Sequence, residues 1–169
     1  FYQSCKKYDE GPAFSLRTKK ARLTGKYEVT SYLRDGKDFL NYVDRFESSG
    51  WDMCGSYNDT SSGTSEFIYE FTENGYIDIT ETFSKTIKRN YNSINCNDSS
   101  FTDSDTEITF GEWEFRHKKN DLRLTMYYNG LLVKEEYEIV KLTKDELKLN
   151  GFIFNFNNVE KAEIELKKK

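Results

Sequence analysis

One proline and one histidine stand in a chain of 169 residues, and no stretch approaches the ~18 consecutive apolar residues that cross a bilayer as a helix. The shortage of proline excludes a proline-rich linker or disordered low-complexity class. The shortage of histidine narrows the catalytic options. Any Ser-His-Asp or Cys-His arrangement would have to use His117, which lies between Arg116 and Lys118. Two neighbouring cations and solvent make it a poor general base. No glycine-rich phosphate loop or dinucleotide fingerprint occurs. An excess of positive charge is missing too: the formal net charge is -4, which argues against nucleic acid as a partner.

Two acidic patterns resemble chemical sites. Glu112 and Glu114 flank Trp113 as a glycosidase-like pair would. On a strand, however, they share the face opposite Trp113 and are expected to point outward. Asp103, Asp105 and Glu107 follow the spacing of the first half of a calcium loop, but Ile108 stands where that loop requires glycine. One histidine and two widely separated cysteines are no zinc ligand set. The expectation is a non-enzymatic protein with no catalytic residues, no metal and no cofactor.

What the chain has instead is aromatic mass. Only 36% of residues are hydrophobic, yet 16% are Phe, Tyr or Trp. Each aromatic buries about 150–250 Å², so few large side chains suffice for a compact core. Twelve are Tyr, whose hydroxyl needs water or a partner, and a barrel offers both. Charge is segregated. Residues 1–43 carry nine Lys/Arg against five Asp/Glu, and residues 44–107 carry four against thirteen. A basic start beside an acidic middle suits an N-terminus near an anionic membrane surface; an ordinary solvated surface would look the same.

The three cysteines differ in setting. Cys5 follows Ser4 and precedes Lys6, Lys7, Tyr8, Asp9 and Glu10. A small residue before Cys and charges after it resemble the end of a bacterial lipoprotein signal peptide, where the cysteine becomes the lipid-bearing residue. Tyr2 and Gln3 depart from that pattern, and an incidental free thiol is the alternative. The chain starts at Phe1 rather than Met, so an upstream segment is expected. Residues 1–14 then form a flexible tether carrying the lipidation site Cys5, and residues 15–169 the folded domain. Cys54 and Cys96 lie in loop-like stretches. In an exported chain a bridge between them is their natural use, with two free thiols as the alternative.

From residue 65 onward the sequence reads as strands and turns. Phe67, Tyr69 and Phe71 alternate on one face; Asn74–Gly75 is a hairpin signal; Ile77, Ile79 and Phe83 alternate on the return. A polar stretch, 89–105, follows. In 106–117 the phase slips between Phe110 and Trp113, and a β-bulge at Gly111 would restore the facing. Leu122, Leu124 and Met126, a second hairpin at Asn129–Gly130, and strands over 132–142, 146–149, 151–156 and 159–166 complete the chain. Nearer the start, 25–34 reads as a strand with Tyr27, Val29 and Leu33 on one side. Ser15 can cap a helix over 16–23, and Asp38 a second helix over 39–46 whose face is Phe39, Val43 and Phe46. The expected fold is all-β, an eight-stranded antiparallel up-and-down barrel with two short N-terminal helices; a two-sheet β-sandwich is the alternative.

The segment Leu23-Thr24-Gly25-Lys26-Tyr27, after a short helix and opening the first strand, resembles the Gly-x-Trp start of the lipocalins. The order of helix, first strand, lid-like connection and closing meander is similar to that of bacterial lipocalin-like (calycin) lipoproteins. Tyr27 stands in place of the Trp. The last arginine is Arg123, so the final strand lacks the Arg that stacks on that Trp in the family. The resemblance implies a lipoprotein of the outer membrane, on its periplasmic or cell-surface face, binding a small apolar or amphipathic ligand in its barrel. The candidate lining is Tyr27, Val29, Phe67, Tyr69, Phe71, Trp113, Phe115, Leu122, Leu124 and Met126. Phe39, Val43 and Phe46 would form a lid. A filled core would use the same lining residues, and the barrel would then act through its outer surface, as an accessory subunit of a cell-envelope protein complex.

Overall fold

The computed structural model describes residues 18–41, 47–92, 96–128, 130–155 and 158–169. One short helix, α1 (Lys19–Leu23), precedes ten strands: β1 (Gly25–Arg34), β2 (Lys37–Asp38), β3 (Glu47–Asp52), β4 (Gly55–Phe71), β5 (Tyr76–Tyr91), β6 (Ser99–Arg116), β7 (Asp121–Tyr128), β8 (Leu131–Leu142), β9 (Glu146–Asn155) and β10 (Asn158–Lys168). The sheet order is β2-β1-β10-β9-β8-β7-β6-β5-β4-β3, and β1 also pairs with β4. That pairing closes an eight-stranded antiparallel barrel and leaves β2 and β3 as outer strands. A two-sheet sandwich is thereby overturned, because a sandwich leaves its edge strands unpaired.

Packing divides the chain into two compact units: residues 1–39, 67–80 and 108–169, and residues 40–66 and 81–107. β4, β5 and β6 contribute residues to both. In the first unit period-two alternation puts Phe67, Tyr69, Phe71, Ile77, Ile79, Leu122, Leu124, Leu147, Leu149, Ile164 and Leu166 inward and buried. Two register shifts re-aim side chains. Between Val29 and Ser31 the pairing with β10 slips, and between Ile139 and Lys141 the pairing with β9 slips. An extra residue at such a point turns the following side chains to the other face. Tyr32, not the expected Leu33, is therefore the buried residue (4% against an intermediate Leu33).

The bulge expected at Gly111 is absent. β6 and β7 pair without interruption from Phe110↔Tyr127 to Arg116↔Asp121. Gly111 itself faces inward, where an added Cβ would lie 3.1 Å from the Met126 side chain and 2.5 Å from the Thr125 carbonyl oxygen. Met126 fills the space of the missing side chain, and Ile108 and Phe110 stay exposed on the outer face. Gly151 works in the same way. The Tyr137 ring leans over it, 2.6 Å from where a Cβ would sit, so 146–155 is one strand and not two.

The helices also differ from expectation. α1 begins at Lys19, because Thr18 caps it: its Oγ1 accepts from the Ala21 amide at 3.1 Å. Ser15 lies outside the described residues. Asp38 is no helix cap; it belongs to β2, paired with Leu33 across the turn at Asp35 and Gly36 (φ +48° and +75°). The Phe39 amide continues this pairing by donating to the Tyr32 carbonyl at 2.8 Å. Val43, Phe46 and Cys5 lie outside the described residues.

In the second unit, stretches expected as polar loops are strands. β3 and β4 form a hairpin in register from Asp52↔Gly55 to Glu47↔Thr60, and β5 and β6 reach Tyr91 and start at Ser99. Few apolar side chains hold them. Thr82 bonds Thr106, and Thr86 bonds Thr102, across β5 and β6. Arg89 stacks 3.7 Å over the Tyr57 ring and grips Asp59 with two bonds of 2.8 Å. That pairing holds the Asp59 carboxyl below its usual range. Cys54 and Cys96 are disulfide-bonded, with Cα atoms 5.8 Å apart.

The bridge closes a loop of 42 residues, which in the chain-entropy account is worth about 4 kcal/mol. With so little apolar packing nearby, its removal should be felt locally. In Cys54→Ser/Cys96→Ser, amide exchange should rise across 55–66, 81–91 and 99–107 while β1, β9 and β10 keep their protection. Exchange unchanged from wild type in the second unit would contradict this.

Candidate functional site

The site lies on the inward face of the first unit. At one end α1 closes the barrel. Leu23 is fully buried and Lys19 nearly so, with its ammonium 3.5 Å from the Asn120 side-chain oxygen. Arg22 donates to the Leu142 carbonyl at 3.3 Å. The Tyr27 hydroxyl donates to the Arg22 carbonyl at 2.5 Å. Lys168, near the end of β10, sets its ammonium 5.3 Å from the Tyr27 ring centre and donates to the Thr24 carbonyl at 2.5 Å. Gly25, at φ +130°, leaves room for that lysine: a Cβ would lie 2.5 Å from its Cε. Burial, and then the Asp145 carboxylate, push the Tyr27 hydroxyl up to about 12. Phe71 meets Tyr27 and Trp113 edge to face, and this half is packed solid.

Toward the other end a polar cluster interrupts the apolar face. Glu135 lies on the inward row of β8 with Tyr137 and Ile139, and only 8% of it is exposed. Its Oε2 accepts from the Tyr137 hydroxyl at 2.6 Å; Oε1 has no hydrogen-bond partner among the described residues. Burial pushes the Glu135 carboxyl up, opposed by the Tyr137 bond and the Arg34 charge. Burial and the adjacent carboxylate push the Tyr137 phenol up as well, so it remains a donor. Arg34, half-buried at the end of β1, donates through Nε and Nη2 to the Tyr32 hydroxyl (3.3 and 3.1 Å) and lies 3.7 Å over the Phe39 ring. Its Nη1 has no hydrogen-bond partner among the described residues. Phe39 packs against Tyr32 and Phe67.

Of the ten expected lining residues, Tyr27, Val29, Phe67, Tyr69, Phe71, Trp113, Leu122, Leu124 and Met126 are buried, and Phe115 is half-buried. The structure brings all ten to the inward face. Arg34, Tyr32, Glu135 and Tyr137 escaped the sequence analysis. Glu135 had a signal: it is the one carboxylate in the alternating row Val133, Glu135, Tyr137, Ile139. Arg34 had none, because the register shift on β1 hides its facing.

The acidic patterns take the places expected of solvated residues. Glu112 and Glu114 are exposed on β6, and Glu114 pairs with Arg123. Asp103, Asp105 and Glu107 are exposed along a regular strand, where a calcium loop cannot form. His117 is exposed beside the Asp121 carboxylate.

Glu135 makes folding pH-dependent with a definite sign. Its raised folded value means that the folded chain holds the proton to higher pH than the unfolded one, whose value is about 4.3. The stability this contributes is fully present below that value and is lost as pH rises through the folded one. Glu135→Gln keeps an acceptor for Tyr137 but cannot ionise. Its Tm relative to wild type should therefore be lowest near pH 4 and climb toward pH 7, about 2–4 °C for each kcal/mol. A Tm difference that does not vary with pH would contradict the assignment.

No family model matches the chain, and no curated protein matches it in sequence.

Proposed function

We propose that this is a lipocalin-like, non-enzymatic protein of the cell envelope, anchored through an acylated Cys5, which holds a small amphipathic molecule in its barrel. The observation that carries the reading is Glu135. A carboxyl group inside an apolar barrel is costly to ionise, and here, among the described residues, only one of its oxygens accepts a hydrogen bond, with a half-buried guanidinium facing the same cluster. Such an arrangement suits a ligand head that donates to Glu135 and accepts from Arg34. Its apolar body would lie against Phe67, Tyr69 and their neighbours. Binding sites of this kind pair an apolar wall with a few convergent polar groups.

Two further observations support the family resemblance. A short helix leads through Gly25 to a buried Tyr27. Lys168 places a cation over that ring from the last strand, where the family uses Arg. The disulfide supports an exported chain, since such bonds persist in oxidising compartments.

The test is a titration with N-dodecylglycine below its micellar concentration, followed by calorimetry. Its secondary ammonium can donate to Glu135 and its carboxylate can accept from Arg34. Saturable binding in the micromolar range is expected. Glu135→Gln and Arg34→Gln should each weaken it about tenfold, the effect of losing roughly 1.4 kcal/mol. A lack of saturable binding would transfer the function to the outer surface of a filled barrel.

A further inference from the structure

The β7–β8 hairpin ends in Tyr127-Tyr128-Asn129-Gly130-Leu131-Leu132. Turn chemistry explains the bend, since Gly130 sits at φ +78°. It does not explain four large apolar side chains around that turn. Tyr127, Tyr128, Leu131 and Leu132 are all about half exposed or more. Tyr127 and Leu132 point outward in register with each other and with Phe110 on β6, so an apolar row crosses three strands and continues over the hairpin end. Contiguous exposed apolar surface on a soluble chain marks a docking site.

Three features say what docks there. The surface is a hairpin end whose large side chains are about half exposed, which suits a deformable phase better than a rigid pocket. Residues 122–134 contain no Asp or Glu, although 29 of the 169 residues are acidic. Tyrosine rings beside leucines match the gradient from headgroup to acyl chain. Lys134 lies one outward position beyond Leu132 and makes no ion pair among the described residues, so its ammonium is available to a lipid phosphate. Arg123, by contrast, is held by Glu114 and Glu136. From Leu131 to Lys134 the strand rises about 10 Å, the depth to which interfacial elements enter the headgroup and acyl boundary.

We propose that the β7–β8 hairpin is a lipid-surface docking element, seating the barrel on a bilayer by its own side chains and independently of Cys5. This does not depend on the lumen holding a ligand.

The test uses the full chain carrying Cys5→Ser, so that no acyl anchor contributes. Co-sedimentation is measured with vesicles of phosphatidylcholine alone and with one third phosphatidylglycerol. Binding to both is expected, tighter to the anionic vesicles and weakened there by salt. Leu131→Asp/Leu132→Asp should lower partitioning at least tenfold with an unchanged Tm, since both side chains are exposed. Leu131→Ser should lower it by a smaller factor and covers the case of a misfolded double variant. Lys134→Glu should remove only the anionic preference. Met53→Asp, at a fully exposed apolar residue of the second unit, should leave partitioning unchanged. Failure of the Cys5→Ser chain to sediment with either vesicle would overturn the proposal. So would equal loss on Met53→Asp. Self-association or capture of a protein partner that is abolished by the Leu131/Leu132 changes, without vesicle binding, would also overturn it, by assigning the hairpin to a protein contact.

Discussion

Four residue pairs convert the sheet into a barrel: Gly25↔Phe71, Lys26↔Glu70, Tyr27↔Tyr69 and Glu28↔Ile68 join β1 to β4. Without them β1 would carry an open edge, and the inward faces of the strands would have nothing opposite them. With them, Phe71 meets both Tyr27 and Trp113 on the inward face. The burial of Glu135 and the shift of its carboxyl follow from that closure, as does the edge-to-face packing of Tyr27, Phe71 and Trp113. Both partners at the closing seam begin from a constrained point. Gly25 permits the close approach of Lys168, and the Tyr27 hydroxyl and Lys168 ammonium tie α1 to the same end.

The barrel then divides into a solid half and a polar half. Near α1 the large side chains pack against one another, and the Tyr27 hydroxyl, the Trp113 indole and the Lys168 ammonium each donate to a backbone carbonyl. Around Glu135 the arrangement differs. Small residues Gly151 and Ala162 face each other across β9 and β10, and the Tyr137 ring leans over the first of them. Arg34 is paired with Ala162 across β1 and β10. A charged cluster is thus set beside two positions with little side-chain volume, the first of them covered by the Tyr137 ring. The second unit follows another logic, with carboxylates, threonine pairs, one clamped arginine and a disulfide in place of a core.

The alternating aromatics were legible from sequence because period two is a strong signal when one face is buried: Phe67, Tyr69 and Phe71, or Leu122, Leu124 and Met126, could face only one way. The hairpins were legible from Asn74–Gly75 and from Gly130. What stayed hidden has two physical causes. A one-residue register shift, at Thr30 and again at Val140, reverses facing without changing composition, so Tyr32 and Arg34 could not be placed. The strands of the second unit are stabilised by cross-strand polar pairs and a covalent bridge, which leave no hydrophobic period to read. Asp38 does not cap a helix, because the turn at Asp35 and Gly36 draws it into β2 opposite Leu33; residues 42–46 of the expected helix lie outside the described residues.

The proposed ligand-binding role rests on the buried Glu135 carboxyl as the anchor for a polar ligand head. Carboxyl ¹³C NMR on the glutamate-labelled protein, assigned through Glu135→Gln, reads that group directly. In the free protein its titration midpoint should lie above the ordinary glutamate range, and saturating N-dodecylglycine should lower it, because an adjacent ammonium favours the ionised form. A midpoint in the ordinary range, or one that does not move when the amphiphile is bound, would contradict the account.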